Sequence, residues 1–384
     1  ALPIWKSIAA ALTVFALCLG MTGVVSAAEN TEGTGMGVAI GSDSAAKSNS
    51  DVAVGKDANA TGYSSVAIGI SAKATGQHSV AMGEQAAAAG DSAIAIGRDS
   101  MARGPLSVAI GYQANANLFG MAIGVFTKAS SNSAAFGYLA DASGTGAVAF
   151  GSSSQSLGSF STAIGGEAQA TESDSTAIGH SAKAEAEGAM AFGHSANSTG
   201  IYSTAIGEEA EATKQGALAF GHSAKGTGNY SMAIGDSAKA SGLYAVAIGL
   251  QSNATAESAV ALGTNSIASI TYSVALGDGS AATTNAGVTG YDPSGKYATD
   301  LDELLKKGTP WRSTLAAVSV GNSEKGYTRQ ITNVAAGTLD TDAVNVAQLK
   351  ALNEKVDNSA LSSGKNITVH TTDSNGVKKN TIYL

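Results

Sequence analysis

An all-β repeat, built as a rod of short stacked rungs, is the fold class predicted by three observations. An Ala, a bulky apolar residue and a Gly recur together eighteen times from Gly41 to Gly277, in steps of 14 residues except for two 13-residue steps into Gly124 and Gly137. Between these glycines small and large or small and polar residues alternate with period two, as strands require. The third observation is composition: 48 Gly and only 5% aromatics in 384 residues are too small-sided for ordinary large cores. A fixed period this short means supersecondary units that touch only their neighbours.

The charge balance, 30 acidic against 22 basic residues for a net −8, offers no basic footprint for phosphate backbones or anionic lipid. Nucleic acid is therefore excluded as a partner. The N-terminus reads Lys6, an apolar run from Ile8 to Leu19, then Val25-Ser26-Ala27-Ala28. This is the pattern of a secretory signal peptide over residues 1–28, and the missing initiator Met places the start inside a longer leader. Cys18, the one cysteine, lies in that run, so the mature chain is expected to have no thiol or disulfide and to be rigid by packing alone.

The head repeats are expected over residues 29–286. In the rung Ser64 to Gln77, Ser-Val-Ala-Ile and Ala-Lys-Ala-Thr form two short strands, and Gly69 and Gly76 supply the turns between them. Ser65 and Ala67 share one strand face, and Val66 and Ile68 the other; Ala72 and Ala74 share a face, with Lys73 and Thr75 opposite. Closing the small faces on each other makes a narrow roll. Lys73-type positions, among them Lys183, Glu185, Glu211 and Thr213, are then in water.

The Val/Ile face is left outside the roll as an apolar ladder: Val66, Ile68, Val80, Met82, Val108, Ile110, Ile164, Ile178, Ile206, Ile234, Val246, Ile248, Val274 and Leu276. Rungs about 4.8 Å apart give a head on the order of 85 Å long. A monomer tolerates apolar patches of only a few hundred Å². Burying about thirty such side chains at roughly 1.5–3 kcal/mol each stabilises an assembly by tens of kcal/mol. An obligate homo-oligomer follows, and a three-fold axis closes the ladders compactly.

After Ser280 the period fades into a turn-rich break at Gly287 to Gly295, and an amphipathic helix is expected from Asp300 to Lys307 within an insertion, residues 287–317. Val318-Ser319-Val320-Gly321 echoes one rung. From Thr341 the pattern turns helical, and Val346, Leu349, Asn353 and Val356 follow coiled-coil spacing, with Leu349, Leu352 and Val356 as a competing register. Asn353 is either a seam polar residue that sets oligomer state or a surface residue. The tail alternates from Asn366 to Thr371 and from Asn380 to Leu384 around Asn375-Gly376, a hairpin that stops mid-strand as a truncated chain would.

In these features the chain resembles the YadA-like trimeric autotransporter adhesins. Ser65 to Gly69, Ser107 to Gly111 and Ser273 to Gly277 look like the family's head motif. The neck resemblance is the more specific: Arg329, Gln330, Ile331, Asn333, Val334, Gly337 and Thr338, then Asp342, Ala343, Val344 and Asn345. The resemblance implies a left-handed parallel β-roll head as an obligate trimer, a neck over 318–342, a trimeric coiled coil beginning over 343–361, and a partial β-rich stalk domain over 362–384. It also implies display on the outer membrane of a diderm bacterium, attached to a host matrix or cell-surface receptor or to other bacteria. In the family a C-terminal membrane β-barrel anchors the trimer, and nothing here matches it. A collagen-binding motif of some family heads is approached at Ser64 to Ala72 and at Leu106 to Ala114, with departures at both ends of each.

No enzyme, cofactor or metal is expected. His180, His194 and His222 each follow a rung Gly and read as corner decoration rather than metal ligands. Asn59, Asn197 and Asn253 open acceptor-like sequons that small polar composition generates by chance. An ice-binding or otherwise non-adhesive solenoid is the alternative function; Thr162, Thr176 and Thr204 share one phase, but other rungs place Val or Met there. A β-helix acyltransferase needs hexapeptide rungs.

Overall fold

The computed structural model describes residues 37–291, 311–358, 368–374 and 377–383. The expected signal peptide and the expected helix at Asp300 to Lys307 lie outside the described residues. The chain divides into two compact units, one of Ala1–Asn285 with Ala316–Lys325, the other of Ala286–Leu315 with Gly326–Leu384.

The first unit is a parallel β-solenoid. Each rung supplies a three-residue strand such as Val66–Ile68 and a two-residue strand such as Lys73–Ala74. Like pairs with like on the next rung: Val66 with Val80, Ala67 with Ala81, Ile68 with Met82, and Lys73 with Ala87. The longer strands form a 19-stranded sheet and the shorter ones stack into a second. Register survives the two 13-residue steps, since Val108, Ala109 and Ile110 still oppose Met121, Ala122 and Ile123. Both short steps lose their residue at the second corner and leave the strands whole.

Alanine is the core. Ala67, Ala72 and Ala74 are fully buried, as is their counterpart in nearly every rung, and the largest fully buried side chain is Thr127. Two sheets can approach this closely only because a methyl is all that separates them. Where Ser replaces Ala it closes a corner: Ser100 Oγ donates to the Gly97 carbonyl at 2.8 Å, and Ser107 Oγ to Gly104 at 2.6 Å. Asp51, buried in the same role near the start, accepts from the backbone N–H of Ser48 at 2.7 Å and of Ser65 at 2.8 Å.

Both glycines stand at corners, as expected, but for different reasons. Gly69 does have φ +132, and a Cβ there would lie 2.5 Å from the Gly83 carbonyl oxygen. Gly76 has no positive φ; it is needed for room, because its Cβ would lie 2.0 Å from the Gly90 oxygen. The left-handed residues are the ones two positions on, Ser71 at φ 56 and His78 at φ 55. A side chain in that region costs roughly 1–2 kcal/mol. The cost is met by cross-rung bonds that recur at nearly every step: the Ser71 N–H donates to Lys56 O at 2.8 Å and the His78 N–H to Tyr63 O at 2.7 Å.

Beyond the insertion the chain rejoins the stack, with Val318 and Ser319 pairing parallel to Val274 and Ala275. The Ala281 N–H completes this partial rung by donating to Gly321 O at 2.7 Å.

In the second unit, helix α1 spans Val346–Asn358. Thr341 to Asn345, read from sequence as already helical, form instead the loop that caps it. The strands Thr368–Ser374 and Val377–Tyr383 pair antiparallel with Ser374 opposite Val377, the register a turn at 375–376 requires; the turn residues themselves lie outside the described set.

Candidate functional site

Three surfaces carry functional weight, and the first is the apolar ladder. The strand alternation that buries each central Ala turns its two neighbours outward. Val66, Ile68, Val80, Val108, Ile110, Ile178, Ile206, Ile234, Val246 and Val274 are half-exposed, while Met82, Ile164, Ile248 and Leu276 are exposed. The same row continues through residues not singled out from sequence, including Phe150 at 56% and Phe220 at 50% exposure. Phe136 and Phe150 touch across one step with ring centroids 5.8 Å apart. The Thr phase is no flat array, because Met190 stands between Thr176 and Thr204 in the register.

The second surface is a groove of about 970 Å³ on the outer side of the other sheet. It runs along seven rungs, from Ser71 and Lys73 to Ser153 and Gln155. Its walls are two columns: the left-handed corner residues two past each rung Gly, and the outward residues of the two-residue strands. Lys128 and Asp141, neighbours in the second column, pair along it at 3.6 Å. Above its middle the first corner turns aromatic: Phe126 meets Tyr112 edge-on at 5.1 Å and Tyr138 at 6.3 Å. The Arg98 guanidinium sits 4.5 Å over the Tyr112 ring. Sequence reading missed this cluster, although Phe126 and Leu139 depart visibly from the polar residues in the same phase of other rungs.

Farther along that corner His180 and His194 stack with centroids 5.4 Å apart and planes 8° from parallel. His194 faces Glu208 at 3.8 Å and His222 faces Asp236 at 3.5 Å. Among the described residues no three His, Cys, Asp or Glu gather as metal ligands. In the collagen-motif segment Ser64 is in the left-handed region and Ala72 is buried.

The third surface is the capping loop of α1. Asn345 Oδ1 accepts from the Gln348 N–H at 3.0 Å while Gln348 Oε1 accepts from the Asn345 N–H at 3.1 Å, a reciprocal box. The Gln348 amide also spans the Gly337 peptide, Nε2 donating to Gly337 O at 3.1 Å and Oε1 accepting from Gly337 N–H at 3.2 Å. Asn345 Nδ2 donates to Val334 O at 3.1 Å. Gly337 is held against Asp342, whose Cβ a Gly337 side chain would meet at 2.7 Å. The Leu339 and Thr338 N–H groups, at 3.0 and 2.8 Å, hold the Asp342 carboxyl below its ordinary pKa. Asn333 is left-handed at φ 62. Arg329, Gln330, Ile331, Ala343 and Val344 point to solvent, as do Val346, Leu349 and Val356 along α1.

Comparison with known proteins agrees with this architecture. The YadA head domain repeat matches in overlapping segments from residue 46 to residue 280, together more than half of the chain. The coiled stalk of trimeric autotransporter adhesin matches residues 330–371. Autotransporter adhesin BadA of Bartonella henselae is 49% identical over 92 residues, 24% of this chain and 3% of that protein. Trimeric autotransporter adhesin AtaA of Acinetobacter sp. (strain Tol 5) is 52% identical over 77 residues, 20% of this chain and 2% of that one. The chain thus spans a few per cent of the length of these relatives. The solved collagen-binding domain of the Yersinia adhesin YadA is 32% identical, with 52% of this chain and 85% of that one covered at a TM-score of 0.33. By its repeats, its capping loop and its stalk the chain belongs to the trimeric autotransporter adhesins, with a head of YadA repeats followed by a coiled stalk.

Proposed function

We propose that this chain forms the head, neck and first part of the stalk of a homotrimeric surface adhesin, which attaches a diderm bacterium to host matrix or cell-surface molecules or to other bacteria. The observation that carries the reading is the ladder: a solenoid with an alanine core leaves its Ile, Val, Met and Phe side chains uncovered on one face. Three copies bury those faces on one another. The exposed apolar residues of α1 make the same demand at the stalk, with Val346, Leu349 and Val356 as the seam.

The rest follows from that assembly. A rod repeated over eighteen rungs and three chains presents many weak contacts at once, and avidity raises attachment without any single strong site. Arg329 to Asn345 act as the neck that joins roll to coiled coil. Export through residues 1–28 and display at the outer membrane put the trimer at the cell surface. The role calls for no catalysis or cofactor. The Yersinia relative's collagen binding transfers weakly, because its motif is altered at Ser64 and Ala72.

The test is adherence of cells displaying the intact protein against cells displaying it without residues 37–285. Head deletion is expected to abolish attachment while neck and stalk still trimerise. Undiminished attachment sinks the assignment of adhesion to the repeats.

A further inference from the structure

Along the described rungs, the groove beside the first corner is where two adjacent corner residues depart from the repeat. The corner residue two past each rung Gly must be left-handed, and from Asp43 to Asn265 it is Ser, Asp, Asn, Gln or Glu in every rung but two. The exceptions are Phe126 and Leu139, on adjacent rungs, and both line the groove. Tyr112 and Tyr138 flank Phe126 edge-on and hold its ring in place. No core demands these side chains; Leu139 is 43% exposed and Tyr138 53%.

The remaining lining is rich in amides. Gln85, Gln113, Asn115 and Gln155 lie along the same groove. Gln85 and Gln155 each carry a donor and an acceptor, Gln113 Nε2 donates to the Tyr112 hydroxyl at 3.0 Å, and the Asn115 Oδ1 is buried, which leaves its NH2 to face a ligand. Its charges cancel, with Lys73 and Lys128 against Asp99 and Asp141. An anionic polymer therefore finds no net attraction there. An extended peptide finds no strand edge either, because the backbone of these columns is spent between rungs: the Lys73 N–H donates to Ala86 O at 2.8 Å and the Gln85 N–H to Ile70 O at 2.8 Å.

What a net-neutral, amide-bearing groove with the Phe126 ring in its wall does suit is a sugar chain. Amides can meet neighbouring hydroxyls, and ring faces of negative quadrupole can meet the apolar C–H faces of pyranose rings. Seven rungs extend roughly 29 Å along the axis, enough for several sugar units. The ladder and the groove lie on opposite sheets of the roll, so burying the first leaves the second open. We propose that this groove binds a linear, uncharged, β-linked glycan, a ligand assignment that rests on the adhesive reading above.

The experiment uses the purified full chain and, as probes, the hexasaccharides of chitin and cellulose, with a maltose-type hexasaccharide and a heparin hexasaccharide as controls. Phe126→Ser with Leu139→Ser, and Gln113→Ser, install the residue other rungs already carry at this corner, so the roll is retained. Expected is saturable binding of at least one β-linked neutral probe, weakened about tenfold or more by the Phe126/Leu139 pair with the melting temperature unchanged. Equal binding by these variants overturns the site. No binding of either β-linked probe, or preference for the maltose-type or heparin probe, overturns the ligand class, as does capture of an extended peptide alone. Because head-deleted cells report adhesion separately, attachment that needs the head but survives the groove substitutions would remove the glycan site and leave the adhesin.

Discussion

At the residue scale, the two kinds of corner glycine answer to different physics. Gly69 combines a positive φ with backbone contact to the next rung, whereas the position of Gly76 in other rungs is occupied by Glu172, Ala186, Lys214, Ala256 and Ile270. The first corner is thus the rigid one. Gly69→Ala is expected to destabilise the head by about 2–4 kcal/mol per chain, since it adds both left-handed strain and a carbonyl clash. Ala186→Gly, at the tolerant corner, is expected to cost under about 1 kcal/mol. Denaturant unfolding of the two variants measures the contrast, and equal losses would refute it. The recurring triplet made the glycines visible in sequence; the left-handed residues two positions on were not, because Ser, Gln, His and Tyr carry no sign of a φ that a neighbouring rung imposes.

At the scale of elements, the loop that leads into α1, the proposed neck, is organised by side chains that cap rather than pack. Gln348 accepts from the Gly337 N–H, donates to the Gly337 carbonyl and completes the box with Asn345, so one amide ties loop to helix. Asp342 gives this element a pH dependence with a definite sign. Its folded pKa is lowered, first by the Leu339 N–H and then by that of Thr338, so its stabilising contribution is present above the unfolded carboxylate value and is lost as pH falls through the folded one. Neck and α1 are expected to loosen as pH drops below about 4, and Asp342→Asn to remove most of that dependence. Amide exchange at Thr338 and Leu339 across this range is the check; an unchanged profile in the variant would show that another group governs it. The helical spacing was legible from sequence, but the start of α1 was not, because the Asn-x-x-Gln box and the turn at Thr338 to Asp342 compete locally with helix and win by satisfying its first free N–H groups.

At the scale of the whole molecule, two side-chain sizes divide the work: alanine closes the roll, and the larger aliphatic row stays outside it, where the proposed trimer would bury it. Sedimentation equilibrium is expected to give a trimer, and Ile178→Asp with Ile206→Asp to dissociate or aggregate it, since each buried Ile contributes roughly 1.5–3 kcal/mol in each of three chains. A monodisperse, folded single chain in the unsubstituted protein would contradict this arrangement.

Period and alternation were enough to establish rungs, strands, the alanine interior and the outward row, because a strict repeat makes each local choice agree with the next and leaves one register open. The tail hairpin was equally readable from its Asn-Gly pair. The one-rung spacing of His180 and His194 was legible too, and only their stacking was not. Spatial neighbourhood was needed for the Tyr112, Phe126 and Tyr138 cluster and for the groove that Phe126 lines. Such contacts form when one rung lies on another, and a linear string of letters does not display which corner side chains will face the same water.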